Sequence, residues 1–360
     1  VLDREISLDA IERVEIVRGA GSVLWGADAF AGVVNIVPKS GQPQAGVEAG
    51  LEAGNVDLYG GTLNWARSEH DWDAFLAAAG LRETLDDADS SHYGELVGTL
   101  NLGGWLHLSG RWSDFERNYT MNSGTEEIRW SGTREAPVNY LKATASKVHG
   151  PSHYSLMGFY QSTDFKLREQ LVDGPFERSQ RNHVWHAELT WDRRIMSRGL
   201  LTLGASWRRT EVDDAILRND FSTLPLPGGG SFVPLSDQAD FTNDLGSLYA
   251  QFRYQLWQGE WWAGLRLDDH SEYESTLSYS LGMHQPLGED FNLKVAYGTA
   301  FRSPYSSQLN GNQAFDPESV QTISVQLAWE VDRGHSLELT LYHSDIDDHI
   351  AEDPFGGLSQ

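Results

Sequence analysis

The chain lacks several features that would assign it to a common class of protein. It has no cysteine among 360 residues, which excludes disulfide cross-links and thiolate sites for metals or nucleophilic catalysis. It is poor in basic residues, with 27 against 52 acidic ones and a net charge of -25, which argues against a nucleic-acid partner. No stretch reaches the roughly 18 consecutive apolar residues of a membrane helix. With 40% hydrophobic residues, the chain is either soluble or a β-barrel in which every second residue is apolar.

Catalytic constellations are also missing from the sequence. The 12 histidines are scattered, and the late group of His335, His343 and His349 lacks the spacing of a zinc site such as H-E-x-x-H. We therefore predict that the chain is not an enzyme.

What the sequence does contain, from Val47 onward, is a series of segments of about ten residues that alternate apolar with small or polar residues. This is the length and period of a tilted strand that crosses a bilayer. The opposite faces carry uncharged polar residues such as Ser280 and Ser324, as expected of a lumen that holds a plug. The residues predicted to face lipid are Leu248, Phe252, Tyr254, Leu277, Leu281, Leu293, Val295, Val325 and Leu327.

Short and long connections alternate between these segments, and counting the segments gives about fifteen strands. The predicted short connections are 67–71, 103–104, 149–152, 192–199, 258–259, 285–290 and 332–335. The predicted long ones are 82–91, 114–137, 161–182, 211–241, 268–275 and 299–318. Short turns at one end and long loops at the other are typical of an outer-membrane barrel, whereas a soluble sandwich has no reason for this alternation.

Residues 11–37 carry the most informative motif, IERVEIVRGAGSVLWGADAFAGVVNIV. Apolar and charged residues alternate as in a strand, glycines break it, small residues follow, and β-branched residues resume an extended chain. The motif resembles the end of the plug domain of TonB-dependent outer-membrane receptors, although Trp25 replaces a usual Tyr, Ala31 a Gly and Pro38 a Thr. The matching motif positions are Arg13, Glu15, Arg18, Gly19, Gly26, Asp28, Gly32 and Asn35.

A second motif, which begins VAYGTAFRSP at Val295, resembles the late-barrel motif of the same family. Its matching positions are Tyr297, Phe301, Arg302, Pro304, Asn312, Pro317 and Glu318. Ser324 stands where the family usually has a lumenal Glu that pairs with plug arginines. Arg18 therefore needs another partner, and Glu188 and Glu338, on the polar faces of their strands, are the candidates.

The resemblance implies an all-β fold: a transmembrane antiparallel β-barrel, with 22 strands in the family and about 15 here, behind the C-terminal part of a plug domain. We expect a fragment, with residues 1–38 in the plug, 39–46 crossing to the barrel, and 47–360 forming an incomplete barrel. Because the stretch 27–32 has no bulk to anchor a wall strand, Val33 to Val37 is expected to lie outside the barrel wall.

The resemblance also implies a function, namely energised uptake of a scarce bulky solute, a ferric siderophore or cobalamin, across the outer membrane of a Gram-negative bacterium. The expected partners are the small-molecule ligand, outer-membrane lipid, and the TonB complex through a segment absent from this sequence. Two alternatives stay open at this point: a soluble or secreted β-rich binding domain, and a plug-less outer-membrane porin.

Acidic clusters in the predicted long connections suggest one cofactor. Crowded carboxylates repel one another unless a hard cation bridges them, and calcium accepts six to eight oxygens. In cobalamin receptors of the family, acidic residues of the second and third outer loops hold calcium, which makes Asp86, Asp87 and Asp89 candidate ligands. The alternative is an ordinary solvated surface.

Overall fold

A computed structural model of the chain describes residues 7–41, 45–55, 57–84, 89–122, 129–171, 174–219, 237–238, 240–304, 316–332, 334–353 and 357–359. Nearly all of this structure is β-strand. The helical elements are a 3-10 turn at Leu8–Ala10 and a single-turn helix, α1, at Ser22–Trp25. In the described ranges, no helix is long and apolar enough to cross a membrane.

The plug-like motif forms a small sheet of its own. Strand β1 (Ile11–Arg18) pairs antiparallel with β2 (Gly32–Pro38), and α1 lies in the connection between them. The prediction that Val33 to Val37 lies outside the barrel wall is confirmed, because β2 pairs with β1 in a separate two-stranded sheet. The unit made of the 3-10 turn, β1, α1 and β2 is called the plug hairpin below.

The remaining strands are long and follow one another along the chain. Their bounds are β3 (Gly46–Ala53), β4 (Tyr59–Ser68), β5 (Trp72–Thr84), β6 (Ser90–Leu102), β7 (Leu106–Asn122), β8 (Arg129–Glu135), β9 (Val138–His149), β10 (Ser152–Leu171), β11 (Gly174–Ile195), β12 (Gly199–Asn219), β13 (Asp237–Gln238), β14 (Phe241–Leu256), β15 (Gly259–His270), β16 (Thr276–Leu287), β17 (Phe291–Arg302), β18 (Glu318–Asp332) and β19 (His335–Asp347). A short separate hairpin, β20 (Ala351–Asp353) with β21 (Gly357–Ser359), follows them.

These strands form a barrel in which wall strands that follow one another along the chain pair antiparallel, and the strand order closes between β19 and β3. Strands β8 and β9 both pair with β7 and with β10, so they are one wall strand interrupted at 136–137. Pro137 explains the interruption because it has no backbone N–H for the ladder. The strand order of the barrel contains seventeen strands. Counting β8 and β9 as one strand, and leaving out β13 because it is a two-residue extension beside β12, gives fifteen wall strands, as predicted. The division into plug, crossing and incomplete barrel stays a prediction.

The period-2 pattern sets the two faces of the wall as predicted. On β14, Leu248 is 63% exposed on the outer face while its neighbour Ser247 is 6% exposed on the lumen side. On β16, Leu277 is 59% exposed and Ser278 is 1% exposed. Alternate residues of a strand point to opposite faces, so a single pair of values orients each strand.

The connections are only partly as predicted. All seven predicted short connections fall between consecutive wall strands, and the end of the barrel that carries them is called the turn end; the opposite end is the loop end. The long connections predicted at 114–137 and 161–182 are wrong over most of their length. Strand β7 continues to Asn122, β10 continues to Leu171, and β11 begins at Gly174. Beyond the apolar band both faces of these strands are polar, so the alternation that marks a wall strand is lost there.

Candidate functional site

The plug hairpin lies inside the lumen and contacts the wall at both ends of the barrel. Its 3-10 turn contacts β4 near the turn end, and α1 contacts β14, β15, β16 and β17 toward the loop end. The site is therefore the set of lumenal contacts that hold this segment.

At the turn end the contact is apolar and small. Ala10 is 2% exposed and packs in one buried cluster with residues of β4, β5 and β6. The other members are Ala66, Phe75, Ala77 and Val97. Only a side chain as small as alanine at position 10 lets the 3-10 turn approach the wall this closely.

Backbone hydrogen bonds complete this turn-end anchor. The Lys39 N–H donates to the Ala10 carbonyl at 2.9 Å, and the Lys39 carbonyl accepts from Thr99 Oγ1 at 2.9 Å. The Gly41 N–H donates to Asp73 Oδ1 at 3.0 Å. A Cβ at Gly41 would lie 2.5 Å from the backbone nitrogen of Ala74, so only glycine fits against the wall here. These contacts fix where the chain leaves the hairpin for β3.

At the loop end Asp28 connects the hairpin to two wall strands. Its N–H donates to the Phe301 carbonyl at 3.0 Å, and its Oδ1 accepts from the Ser303 N–H at 3.0 Å. Its Oδ2 lies 3.3 Å from Nη2 of Arg208 on β12. Asp28 has φ 74°, a conformation that Asn and Asp adopt more readily than most residues, which suits the residue type to this turn. One aspartate thus joins the hairpin to β12 and to the end of β17.

Apolar contacts surround Asp28 at the loop end. Phe301 is 1% exposed and packs with Ala27 and Leu245, and Tyr273 packs against the same group. The Phe301 N–H donates to Ser22 Oγ at 3.3 Å, and Ser22 is fully buried. Ser22 of the plug motif and Phe301 of the late-barrel motif are 279 residues apart in the sequence, and the two motifs form a single contact.

The loop between β15 and β16 covers these loop-end contacts. The Tyr273 hydroxyl lies 2.6 Å from Ser303 Oγ, and the tyrosine ring stacks on His270 with centroids 3.7 Å apart. Burial raises the pKa of Tyr273 to about 12, so the hydroxyl stays protonated near neutral pH and can donate.

A buried ion pair of β15 lies next to these loop-end contacts, on the side of the turn end. Arg266 and Asp268, on the lumen face of β15, are 2.9 Å apart with 5% and 1% of their side chains exposed. Asp268 also accepts from Ser247 Oγ at 2.6 Å. Gly26 of the hairpin rests on this pair, because a Cβ there would lie 3.2 Å from Arg266 Nη2. A buried charge without a partner costs free energy. Because Arg266 and Asp268 pair with each other, both charges can be buried on the lumen face of β15 beside the plug hairpin.

Within the hairpin, three of the predicted motif residues interact across β1 and β2. Glu15 accepts from Asn35 Nδ2 at 2.8 Å, in register, and from Arg13 Nε at 2.7 Å. The hydrogen bond from Asn35, with that from Arg13, lowers the pKa of Glu15. Gly32 is required where β2 begins, because a Cβ there would lie 2.4 Å from the Val17 carbonyl oxygen. Just after the end of β1, the Gly19 N–H donates to the Ala31 carbonyl at 3.0 Å, so this hydrogen bond connects the two strands at the same end.

The two predicted partners of Arg18 are wrong. Arg18 is exposed at the end of β1, and within the described ranges it pairs with neither Glu188 nor Glu338. The Glu188 carboxylate accepts from the Tyr249 hydroxyl at 2.7 Å, so wall residues already occupy it, and Glu338 is exposed on β19. Asp28, which the sequence did not single out as an ionic partner, pairs with the wall instead.

Arg302 and Glu318 of the late-barrel motif form an ion pair between β17 and β18. The Glu318 side chain is 2% exposed. It also accepts from the Ile350 N–H at 2.8 Å and lies 2.6 Å from Nδ1 of His349. Arg302 stands 6.0 Å from the ring of Phe30, which links this pair to the hairpin.

The other late-motif residues have separate places. The Tyr297 hydroxyl donates to Gln321 Oε1 at 2.9 Å on the outer face, Pro304 is buried just after β17, and Pro317 immediately precedes β18. Asn312 lies outside the described residues.

The candidate calcium ligands are only partly described. Asp86 and Asp87 lie outside the described residues, and Asp89 accepts a hydrogen bond from the backbone N–H of Thr120. The ranges that the structure describes contain no group of three or more His, Asp or Glu side chains able to hold a metal ion. Calcium stays a prediction.

Sequence reasoning missed a row of lumenal arginines near the loop end. Arg117 on β7 and Arg134 on β8 are register partners, and Arg134 and Arg178 both lie opposite Leu167 of β10, on its two sides. Neighbouring strands are about 4.8 Å apart, so the three side chains form one row across β7, β8, β10 and β11. The period-2 pattern would have revealed the row had the strands been predicted to continue this far.

Aromatic rings line the same surface. The Arg134 guanidinium carbon lies 5.9 Å from the Phe115 ring centre, and that of Arg178 lies 5.9 Å from the Phe165 ring centre. The buried Phe115, 3% exposed, shows that this face is the lumenal one. Arginine over an aromatic ring is a surface suited to a ligand that combines negative charge with flat groups.

Comparison with known proteins agrees with this architecture. The model of the family "TonB dependent receptor-like, beta-barrel" matches residues 27–359. A vitamin B12 transporter BtuB of Vibrio vulnificus is 23% identical over 96% of this chain and 56% of the relative. A ferric enterobactin receptor PirA of Pseudomonas aeruginosa is 26% identical over 84% of this chain and 48% of the relative. The chain thus spans about half the length of the curated relatives it matches.

Solved structures have the same fold. A crystal structure of the ferric enterobactin receptor PfeA of Pseudomonas aeruginosa matches with TM-score 0.70 and 16% identity, over 96% of this chain and 59% of that one. The ferric-catecholate import receptor Fiu of E. coli matches with TM-score 0.73 and 14% identity, over 98% and 65%. A match to the family model over nearly the whole chain settles the family: the chain belongs to the TonB-dependent receptors, β-barrel proteins of the Gram-negative outer membrane.

Proposed function

We propose that the chain forms the end of the plug and much of the wall of a receptor for energised uptake of a scarce bulky solute. The observation that carries this proposal is the plug hairpin, which lies in the lumen and is held at both the turn end and the loop end. A plug-less porin would leave its lumen open to water, so these contacts oppose that alternative. We assign no catalysis to the protein.

Uptake through such a lumen requires the plug to move. Ligand binding at the loop end and energy input from the turn end must both bias one equilibrium between seated and released plug states. We propose the TonB complex as the source of that energy.

The lumenal arginine row favours a ferric siderophore over cobalamin as the solute. Arg117, Arg134 and Arg178 lie on one lumenal face near the loop end, two of them beside aromatic rings. A ferric chelate bound through deprotonated aromatic oxygens carries negative charge on flat rings, which suits this surface. One carboxylate, that of Glu169, which accepts a hydrogen bond from the Tyr119 hydroxyl, lies beside the row, so arginines outnumber carboxylates on this face although the chain as a whole is acidic.

A transport assay in cells separates the two solutes. The full-length receptor, expressed in a strain deleted for its own siderophore and cobalamin receptors, is given 55Fe-enterobactin or 57Co-cyanocobalamin. We expect iron uptake that stops when the proton-motive force is collapsed. The double variant Arg134→Gln/Arg178→Gln should weaken surface binding of 55Fe-enterobactin on the order of 100-fold, from two charge-assisted contacts of about 1.5 kcal/mol each.

The matched control is Arg13→Gln, an exposed arginine of the hairpin away from the arginine row, and it should leave binding unchanged. Cobalt uptake without iron uptake would overturn the siderophore assignment. Uptake of neither, with a heat-resistant barrel present in the membrane, would oppose both ligands.

Cobalamin is the second candidate because the vitamin B12 transporter of Vibrio vulnificus matches 96% of the chain. With it we propose calcium at Asp86, Asp87 and Asp89, whose carboxylates are the hard oxygen ligands that calcium takes. Binding of 57Co-cyanocobalamin should then fall when calcium is chelated and should become insensitive to chelation in the variant Asp86→Asn/Asp87→Asn. Binding that is indifferent to calcium in the parent protein would oppose this site.

A further inference from the structure

A cavity opens on the lumen side of the connection between β11 and β12, at the turn end of the barrel. It has a volume of about 320 Å³, and its charged lining residues are Arg194, Arg198, Arg253 and Glu260. Leu200 lies between two of them, because it is the register partner of Arg194 on β11 and of Arg253 on β14. Register partners project from the same face of a sheet, so these two arginines flank one apolar side chain.

The strand pattern places these two arginines on the lumen face of the wall. Along β14, Gln251 is 8% exposed on the lumen face, and Arg253 follows it two residues later on the same face. Arg193, next to Arg194 in the sequence, points to the opposite side, where its guanidinium carbon lies 5.9 Å from the Trp191 ring centre. Arg194 and Arg253 therefore face the lumen, whereas Arg193 faces lipid.

The positive charge of this cavity is mostly uncompensated. The Arg253 Nη1 lies 3.9 Å from Glu260 Oε1, at the limit of an ion pair, and its buried Nε has no hydrogen-bond acceptor among the described residues. Within the same ranges, no carboxylate forms an ion pair with Arg194 or Arg198. Asp192, on the lumen face of β11, already accepts a hydrogen bond from a wall side chain at 2.6 Å. Three guanidinium groups against one lining carboxylate leave two positive charges in excess.

Strand β11 carries lumenal arginines toward both of its ends. Arg178 of the arginine row lies near the loop end and Arg194 near the turn end, roughly 50 Å apart along the strand at about 3.3 Å per residue. His186 lies between them and is the register partner of Arg208, which holds Asp28 of the plug hairpin. A solute that crosses the lumen therefore meets the arginine row before this attachment and the cavity after it.

We propose that the cavity is an exit site, which binds a negatively charged arm of the solute after it has passed the plug hairpin. The inference rests on the proposed uptake of a ferric siderophore. Guanidinium groups bind carboxylate and phenolate oxygens through charge-assisted hydrogen bonds, and Leu200 provides an apolar contact for a flat ring. The volume is at the lower end of the range for small-molecule sites, so the cavity admits one arm of a bulky chelate. Binding there stabilises the solute on the turn side of the hairpin and opposes its return.

The test labels individual arginines of the full-length receptor with phenylglyoxal and measures each labelling rate by mass spectrometry of peptides. The receptor is in detergent, so both ends of the lumen are open to the probe, which is ferric enterobactin. At about five times the dissociation constant roughly one sixth of the sites stay free, so labelling of Arg194 and Arg253 should slow about sixfold. Cyanocobalamin, which is bulky but has no net charge, should not slow it.

A pair of variants separates the lumenal arginines from their neighbour on the lipid face. Each charge-assisted contact contributes on the order of tenfold in affinity, so Arg194→Gln/Arg253→Gln should raise the half-protecting concentration about 100-fold, measured at Arg198. The matched control is Arg193→Gln, which should leave that concentration unchanged because Arg193 faces lipid. Heat-resistant migration of each variant shows that the barrel is assembled.

Equal labelling of Arg194 and Arg253 with and without ferric enterobactin would overturn the exit site, as would an equal effect of Arg193→Gln. Inorganic phosphate or a glutamate-rich peptide that protects at a lower concentration than the chelate would assign the cavity to a small anion or to an acidic protein segment instead. Protection of Arg134 and Arg178 alone would refute the exit site and leave the proposed function standing. Protection at the turn end in a receptor whose cells take up no iron would oppose the proposed function and not the anion site.

Discussion

The two ends of the plug hairpin are held by different chemistry. At the turn end, Ala10 packs in a dry cluster of small and apolar residues, and neutral backbone groups of Lys39 make hydrogen bonds. At the loop end, Asp28 pairs with Arg208 with about half of its side chain exposed. Apolar burial is insensitive to a charged ligand, whereas a partly exposed ion pair is not. Salt or an anion near the loop end can therefore weaken the pair of Asp28 and Arg208 while the apolar cluster around Ala10 stays intact.

Removing the buried ring at the loop end should have the largest effect. Phe301→Ala deletes a fully buried aromatic side chain that Ala27 and Leu245 contact, and such truncations cost about 3–5 kcal/mol. We expect hydrogen–deuterium exchange of residues 19–32 in the full-length protein to accelerate by two to three orders of magnitude, with the turn-end residues 35–41 less affected.

The control for that variant is Phe291→Ala on the same strand, because Phe291 is 38% exposed on the outer face. It should leave exchange of the hairpin unchanged. Acceleration of equal size at both ends of the hairpin would show that the two attachments open together and do not differ in strength.

Gly41→Ala tests the turn end and should have the next largest effect. The new Cβ would meet backbone atoms of Arg67 and Ala74 at 2.4 to 2.7 Å, and overpacking of this kind costs about 1–3 kcal/mol. Exchange should accelerate at residues 35–41 and stay near the parent value at residues 22–30. Gly94→Ala is the matched control, since a Cβ there meets nothing within 4 Å. A parent-like exchange pattern in Gly41→Ala would contradict the tight fit at this end.

Asp28→Asn should have a smaller effect that depends on salt. Asparagine keeps the acceptor for the Ser303 N–H and tolerates the turn conformation, but it loses the charge facing Arg208. For a partly exposed pair the loss is about 0.2–1 kcal/mol. The difference in exchange at residues 22–30 between parent and variant should shrink as sodium chloride rises from 0.05 to 0.5 M. A difference that persists unchanged at high salt would show that the ion pair is not its cause.

The smallest effect concerns Glu15, whose pKa is lowered by its hydrogen bond with Asn35 and then by Arg13. A lowered folded-state pKa contributes stability above the unfolded-state pKa, and this contribution is lost as the pH falls through the folded-state value. Asn35→Ala should raise the Glu15 pKa toward its ordinary value. Carbon-13 NMR of the Glu15 carboxyl group in labelled full-length protein measures it, and an unchanged titration would oppose the assigned hydrogen bond.

Sequence reasoning succeeded where one physical rule acts alone. On β16 the alternation of Leu277 and Leu281 with Ser278 and Ser280 sets the two faces, because lipid and lumen select opposite residue types. The strand number and the seven short connections follow from the same pattern. The rule loses its power beyond the apolar band, where β10 and β11 continue with polar residues on both faces.

The lumenal contacts were harder to predict because they depend on register between distant segments. The motif positions Asp28 and Phe301 were recognised, but nothing local in the sequence indicates that they meet. Arg18 was given a partner from the family pattern, whereas in this chain it is exposed and Glu188 is occupied by Tyr249. A shift of one residue in the hairpin would exchange which side chains face the wall, so only the three-dimensional structure decides these pairings.

The extended strands β10 and β11 give the barrel an uneven rim. β11 has 22 residues and β16 has 12, which correspond to contour lengths of roughly 70 and 40 Å. Among the described strands the wall is therefore higher at β10 and β11 than at β16. Arg178 lies on the lumen face of the higher part, farther toward the loop end than the contacts of Asp28. If the proposed siderophore enters through the lumen, it meets Arg178 before it reaches the plug hairpin.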